Sequence, residues 1–239
     1  MNKKTQQKLL NIVKQNYEDI ADDFSNTRNY IWPELKKIIV QTPRWGVSKI
    51  NTLDLGCGNG RLLELFCGKD AIYRVSYTGL EQSSKLAQYA REYVTRNNIK
   101  NAKIITGDIL NIKNLINEKF DLILLVAVLP HIPSHEMRLE LLKKIKNYLK
   151  SDSQLVITCW DLHASKKHRK LIFKNNLKKI FGLNKMDFGD ILFSGFNKET
   201  PRYYHAFTEK SLKKLLKQAG FSIEKIYSDK KNIYAICKS

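Results

Sequence analysis

The chain has 239 residues, of which 43% are apolar and 27% charged, with only 5 prolines; this excludes a disordered tail, a collagen and a low-complexity repeat. Basic residues number 42 against 23 acidic ones, a net charge of +19, enough to draw the chain towards a polyanion. The excess is mostly lysine in a chain also rich in Ile, Asn, Tyr and Phe, a mix that an A/T-rich genome writes into any protein, so charge names a class of partner and not a reaction. Cys57, Cys67, Cys159 and Cys237 form no CxxC pair, which argues against a disulfide scaffold or zinc ribbon and for the reducing cytoplasm. No metal site is expected. The longest apolar run, Leu122 to Pro130, is about half of what a membrane helix needs. Lys3 and Lys4 lead into an amphipathic pattern, so neither a membrane span nor a signal peptide is expected.

In chain order, Leu9, Leu10, Ile12, Val13, Tyr17, Ile20, Ala21 and Phe24 recur at helical spacing, and Trp32-Pro33 opens a second helix through Val40. Pro43, Gly46 and Ser48 break the pattern. Strand candidates follow at Thr52 to Leu55, Ser76 to Glu81, Ala102 to Thr106, Phe120 to Val128 and Gln154 to Trp160. Helices are expected at Arg61 to Phe66, at Ser83 to Asn97 and at His135 to Lys150, with Ser83 and Ser134 as N-caps. Alternating strands and helices predict an α/β fold, a parallel sheet covered on both faces. Beyond Trp160 come a basic helix (Lys166 to Ile180), a loop rich in Gly and Phe (Gly182 to Asn197), a helix (Thr208 to Ala219) stopped by Gly220, and a hairpin of Ile223 to Tyr227 with Ile233 to Cys237. One domain, 1–239, is expected: a helical cap (1–45), a core (49–160), an insertion with the substrate region (161–207), and a terminal helix and hairpin (208–239).

The most informative stretch is Leu53-Asp54-Leu55-Gly56-Cys57-Gly58-Asn59-Gly60, a strand that ends in a glycine turn followed at once by a helix. Glycines let a ligand approach the backbone, and the amides of such a turn point at whatever sits above the strand's carboxyl end. Glu81 closes the next strand, where an acid accepts hydrogen bonds from a ribose diol. Strand, GxGxG, helix, strand and terminal acid together narrow the ligand to a nucleoside-bearing cofactor. Asp54 inside the strand suits a cofactor with an ammonium group better than one with a pyrophosphate, although an acid there also serves to hold the glycine turn by its amides.

These residues resemble the class I S-adenosylmethionine-dependent methyltransferases, whose first motif is hydrophobic-Asp-hydrophobic-Gly-x-Gly-x-Gly. Gly107-Asp108-Ile109 and Phe120-Asp121-Leu122-Ile123 match later landmarks of that class. The resemblance covers about Lys49 to Ser239. It implies a Rossmann-like, seven-stranded, mostly parallel sheet with a terminal antiparallel hairpin strand, and S-adenosylmethionine as cofactor. It implies that Asp54, Gly56, Gly58, Gly60, Glu81, Asp108, Ile109 and Ala127 hold that cofactor.

A narrower resemblance is carried by Tyr17-Glu18-Asp19-Ile20-Ala21, Phe24-Ser25-Asn26-Thr27-Arg28, Trp32-Pro33, Ala127-Val128-Leu129-Pro130-His131-Ile132, Thr158-Cys159-Trp160, Arg202-Tyr203-Tyr204-His205-Ala206-Phe207 and Asn232-Ile233-Tyr234. It is to the tRNA methyltransferases that esterify a carboxymethyl group on the wobble uridine. Pro130 stands where that family usually has the first of two histidines. The resemblance implies tRNA (the anticodon stem-loop) as partner, with no DNA and no membrane. Eukaryotic members work with a small activator subunit, which is therefore among the implied partners.

A carboxylate acceptor is already ionised, so the chemistry needs positioning and a cation, and Arg28 and Arg202 are the candidates. His131 is expected to donate to the acceptor oxygen or ring. Tyr17, Trp160, Tyr203, Tyr204 and His205 are candidates to bind the substrate, Trp160 and the two tyrosines by stacking on a splayed-out uracil. Lys166, Lys167, Arg169 and Lys170 are candidates for phosphate contact. Plainer roles stand beside these: an Arg28 ion pair with Asp22 or Asp23, a turn cap for His131, core packing for Trp160 and for one of the adjacent tyrosines. Two other functions stay open, methylation of a small acceptor such as a quinone precursor or a carboxylic acid, and a tRNA-binding protein without chemistry.

Overall fold

The structure, a computed structural model, describes residues 1–28, 30–41, 50–67, 75–194 and 201–239. The break at Pro43, Gly46 and Ser48, the boundary between residues 45 and 49, and the loop end at Asn197 lie outside the described residues. Three helices open the chain: α1 (Lys3–Asp19), α2 (Ala21–Thr27) and α3 (Pro33–Val40). The expected first helix is two, because Ile20 leaves helical geometry at φ −96° and ψ 9°. Pro33 starts α3, where its fixed φ and missing N–H suit a first turn.

The strands are β1 (Ile50–Leu55), β2 (Val75–Glu81), β3 (Ala102–Thr106), β4 (Phe120–Val126), β5 (Leu149–Trp160), β6 (Asp190–Ser194), β7 (Pro201–His205), β8 (Ser222–Ser228) and β9 (Asn232–Lys238). Seven of them form one sheet in the order β3-β2-β1-β4-β5-β9-β8, and β6 and β7 form a separate pair. β1 is parallel to β2 and β4, and β2 to β3, while β9 is antiparallel to both β5 and β8. The described helices between and after them are α4 (Leu63–Cys67), α5 (Ser84–Arg96), α6 (His135–Lys146), α7 (Lys166–Ile180) and α8 (Glu209–Gln218). Ser83 and Ser134 cap α5 and α6 as expected, each accepting from the amide three residues on. No described helix is long and apolar enough to cross a membrane.

The chain divides into two compact units. One, Tyr17–Leu124 with Tyr148–Ser153, contains the glycine turn; the other, Met1–Asn16, Leu125–Asn147 and Gln154–Ser239, contains β7. In the glycine-turn unit Leu55 pairs with Leu80 in register, which brings the turn after β1 beside Glu81 at the end of β2. Burial of β1, β2 and β4 on both faces explains their near-continuous apolar sequences.

Several boundaries differ from the sequence reading. β4 stops at Val126, because Ala127 takes φ +58° and gives its N–H to the carbonyl and hydroxyl of Thr158, both at 3.0 Å. The helix expected to Lys150 stops at Lys146; Tyr148 accepts from the Phe120 amide, and Lys150 pairs with Asp121 at 2.7 Å, so that stretch is strand. Gly182 to Asn197 is not all loop: it contains β6, anchored by the buried Asp190. Arg202 to His205 lies in β7, paired with β6 in antiparallel register, in keeping with the adjacent tyrosines being read as strand neighbours.

Candidate functional site

In the glycine-turn unit the chain leaves β1 through Gly56, Gly58 and Gly60, all at positive φ. The amides of Gly56 and Cys57 donate to Leu80, and that of Gly58 donates to Glu81 Oε2 at 2.9 Å. The other oxygen of Glu81 accepts from Ser83 N at 2.8 Å. Glu81 is therefore the clasp of the turn, buried, with its carboxyl pushed upward by burial against the pull of those amides. The Gln82 amide adds to that pull, so three amides face the four lone pairs of the carboxylate. At Gly60 a Cβ would lie 2.8 Å from the Leu63 side chain and 3.0 Å from Ala90, so α5 approaches here only because the residue is glycine.

Asp54 lies one residue before the end of β1 and is buried. Its Oδ2 accepts from the Tyr77 hydroxyl at 2.6 Å, and its Oδ1 has no partner. Its hydrogen bond thus runs to Tyr77 and not to the amides of the glycine turn. Burial raises its pKa from 3.8 to about 6, opposed by the Tyr77 bond and by the charge of Arg61. Arg61 went unnoticed in the sequence. Its guanidinium lies 5.0 Å from the Trp32 ring centre, burial lowers its pKa, and one terminal nitrogen is buried without a partner. The available signal was an arginine two residues before a helix start, where the helix dipole disfavours a cation. Asn59 Oδ1 is likewise unpartnered, while its amide donates to the Arg28 carbonyl at 3.3 Å.

Around the turn, Phe24 of α2 comes within 3.4 Å of where a Gly58 Cβ would stand. Glu18 accepts from Ser83 Oγ at 2.6 Å, and Asp22 from the Tyr89 hydroxyl at 2.8 Å. Half-buried Tyr17 packs edge-on against Phe24 at 5.9 Å. Arg28 ends α2, half-buried, and its charge lowers the pKa of Arg61. Asp108 caps the 3₁₀ turn Ile109–Asn114 by accepting from Leu110 N at 2.8 Å, and Ile109 is buried.

In the β7 unit, His131 closes the 3₁₀ turn Leu129–His131 and is buried. Its Nδ1 is 3.1 Å from the Tyr203 carbonyl. A carbonyl only accepts, so Nδ1 carries the proton and Nε2 is the acceptor nitrogen. Burial pushes the imidazole down to about 4; the Tyr203 bond opposes this and Arg202 adds to it. The neutral ring's one N–H is committed to Tyr203, which counts against the donor role expected of His131.

Tyr203 and Tyr204 are both buried, at 0% and 2% exposure. Neighbours on a strand point oppositely: Tyr203 packs with Leu9 and Met186, and Tyr204 with Leu162, Ile172 and Ile191. Tyr204 lies 4.3 Å from the His131 ring, 5.2 Å from Trp160 and 5.3 Å from Phe193. Neither tyrosine is an open stacking surface, which corrects that expectation. Trp160, also expected to stack, is half-buried, as is Phe193. His205 is held at Nδ1 by Asp190 (2.8 Å) and edge-on by Phe207, which makes it part of the packing.

Arg202 is buried on β7, opposite Phe193. Arg138, also missed, is buried on α6 and donates to the Ile132 carbonyl at 2.9 Å, fixing the chain just after His131. Lys166, Lys167 and Lys170 are exposed along α7. Arg169, exposed too, donates to the His163 carbonyl at 2.7 Å and so also braces the entrance to the helix.

A mostly parallel sheet, a glycine turn after its first strand, an acid after its second and one antiparallel strand near its end define the class I methyltransferase fold. The chain belongs to the methyltransferase domain family, whose model matches residues 47–227. A tRNA (carboxymethyluridine(34)-5-O)-methyltransferase of Saccharomyces cerevisiae is 29% identical over 157 residues, covering 66% of this chain and 50% of the relative. Another, of Schizosaccharomyces pombe, is 24% identical over 237 residues, 95% of each. The chain thus spans about half the length of the first relative. Among solved structures, a SAM-dependent methyltransferase of Methanosarcina mazei superposes with a TM-score of 0.66 at 20% identity, over 87% of this chain and 98% of that one.

The cofactor of this class is S-adenosylmethionine, and the residues fit it. Buried Asp54 Oδ1 and Arg61 offer an unpartnered acceptor and an unpartnered donor in one unit, a pair that matches the ammonium and carboxylate of an amino acid.

Proposed function

We propose that this methyltransferase esterifies the carboxymethyl group of a modified wobble uridine in tRNA. On the donor side the reading rests on one observation, the pair of unpartnered buried atoms on Asp54 and Arg61 beside the glycine turn. In it, Asp54 accepts from the cofactor's ammonium, Arg61 donates to its carboxylate, and Glu81 accepts from the ribose hydroxyls while its amide bonds keep the turn closed. Asp108 and Ile109 flank the adenine, and Ala127 adds its backbone.

When bound, S-adenosylmethionine supplies a methyl group already activated by the sulfonium charge. The acceptor carboxylate is ionised at neutral pH, so no residue has to remove a proton. A cation holds the carboxylate through charge-assisted hydrogen bonds, and Arg28 and Arg202 are each candidates for that role. Alignment of the reacting atoms to about 3–3.5 Å then supplies roughly 7–11 kcal/mol of the acceleration. His131, neutral and accepting at Nε2, suits the ring N–H of a uracil. The relatives' names and the Arg202 to Phe207 segment support tRNA as the acceptor. One domain spanning both units is part of this reading, supported by the family match across 47–227, as is a cytoplasmic location, supported by the free thiols of Cys57, Cys159 and Cys237.

The test is nucleoside mass spectrometry of tRNA from a strain lacking the protein. Loss of the wobble ester with accumulation of the free carboxymethyl nucleoside is expected. Unchanged esters would refute the acceptor, and a different missing methyl group would replace it.

A further inference from the structure

With Tyr203 and Tyr204 buried and Trp160 half-buried, the most exposed aromatic surface of the β7 unit lies on α7. Nine large apolar side chains are exposed among the described residues, and six of them fall between Phe173 and Phe188. Phe173 is 70% exposed, Ile180 67% and Phe181 69%. Positions 173, 177, 180 and 181 share one helical face. Leu171 and Ile172 on the other side of α7 pack into the cluster of Leu162, Ile191 and Tyr204, so the outer ridge cannot turn inward. Seven of the fifteen residues of α7 are Lys or Arg and none is acidic.

The geometry points to this outer ridge of α7 as the surface that holds unpaired bases of the RNA acceptor, with Phe173 and Phe181 stacking on bases and Lys170 and Lys174 meeting the phosphates. It rests on the proposal that the acceptor is tRNA. Charge complementarity requires an anionic occupant. The order of residues selects among anionic occupants. Lys166 and Lys170 lie on the same line as Phe173, Leu177 and Ile180, at steps of four, three, four and three. A bilayer that took up the ridge would have to bury those ammonium groups, whereas an RNA single strand alternates apolar base faces with phosphates. A duplex hides its base faces and matches only the charges. Phe173 and Phe181 are eight residues apart, about 12 Å along the axis, which makes the ridge an extended platform and not a single-base pocket.

The test uses the full chain and two probes, single-stranded oligouridylate and a duplex RNA of equal length, with titrations at several salt concentrations. Expected is a preference for the single strand, a loss of roughly 5- to 140-fold in its affinity for Phe173→Ala and Phe181→Ala each, and an unchanged salt slope for both. Lys170→Gln with Lys174→Gln should instead flatten the slope by about 0.7 for each phosphate no longer neutralised. Cofactor affinity of every variant, measured by calorimetry, should match the parent and so exclude misfolding. Equal affinity for both probes, or phenylalanine variants that bind oligouridylate like the parent, would overturn the proposal while leaving tRNA methylation standing. A chain that binds no RNA yet sediments with anionic vesicles or self-associates through the ridge would overturn both.

Discussion

Asp54→Asn should weaken cofactor binding and, in the cofactor-free protein, gain stability relative to the parent as pH rises. Burial raises the Asp54 carboxyl from 3.8 to about 6. Between these values the folded state binds more protons than the unfolded one, so the contribution of Asp54 to stability falls as pH rises through that window. At 1.36 kcal/mol per pKa unit the shift corresponds to about 3 kcal/mol at pH 7. Asparagine does not titrate. Its extra N–H2 in a buried site costs roughly 1–3 kcal/mol, but that cost is the same at every pH and cancels in a comparison across pH. Urea unfolding of parent and variant at pH 4 and pH 7 should therefore show the stability difference moving by roughly 2–2.5 kcal/mol in the variant's favour, since the unfolded carboxyl is already partly ionised at pH 4. The variant should also bind S-adenosylmethionine roughly 10- to 150-fold more weakly at pH 7, the worth of a hydrogen bond to a charged group. A stability difference that does not move with pH refutes the buried, raised carboxyl. An unchanged cofactor affinity refutes its role at the ammonium.

His131 acts in the opposite sense: its folded pKa of about 4 lies below the ordinary 6.5, so stability is lost as pH falls through that range, by about 3 kcal/mol in all. It nearly cancels Asp54 in the parent, and His131→Asn should uncover a downward slope between pH 4 and 6 in the same unfolding assay. Glu81→Ala leaves the Gly58 and Ser83 amides without their carboxylate, which should cost about 1–3 kcal/mol each and abolish cofactor binding by calorimetry. Arg28→Ala and Arg202→Ala should each lower methyl transfer to tRNA with cofactor affinity nearly intact; full activity in both would end their assignment to the carboxylate. Tyr204→Ala, in contrast, should cost about 3–5 kcal/mol as a truncated core aromatic, read as a fall in melting temperature.

The centre of the sheet was legible because β1, β2 and β4 are apolar on both faces and its turns carry glycine and serine caps, signals that live within a few residues. The glycine turn and Glu81 were legible for the same reason, since spacing along two strands and register across them say the same thing. β6 was not. Asp190 and Gly189 read as loop residues until the hydrogen bonds from His205 and Asp187 to the buried carboxylate are known. The two tyrosines of β7 show the limit of strand alternation: it requires that they point oppositely, but not that one face is open, and each face has its own cluster. Arg61 and Arg138 were missed because each lies over an aromatic ring distant in sequence, Trp32 for the first and Phe207 for the second. The lysines of α7 read as a run of charge, and nothing in the sequence marks the apolar residues among them as facing outward.

Cys57 sits in the glycine turn itself, and burial pushes its thiol well above the ordinary range, with Asp54 and Glu81 adding to the effect. Cys237 rises to about 12 for the same reason, and Cys159 rises as well. A sulfonium donor is an alkylating agent, and the thiolate is the form of cysteine that attacks its methyl group. Burial keeps these sulfurs in the protonated, unreactive form, as it raises the Asp54 carboxyl. The rate at which iodoacetamide labels Cys57 then becomes a clock for the opening of the turn, slowed by any ligand that holds it shut.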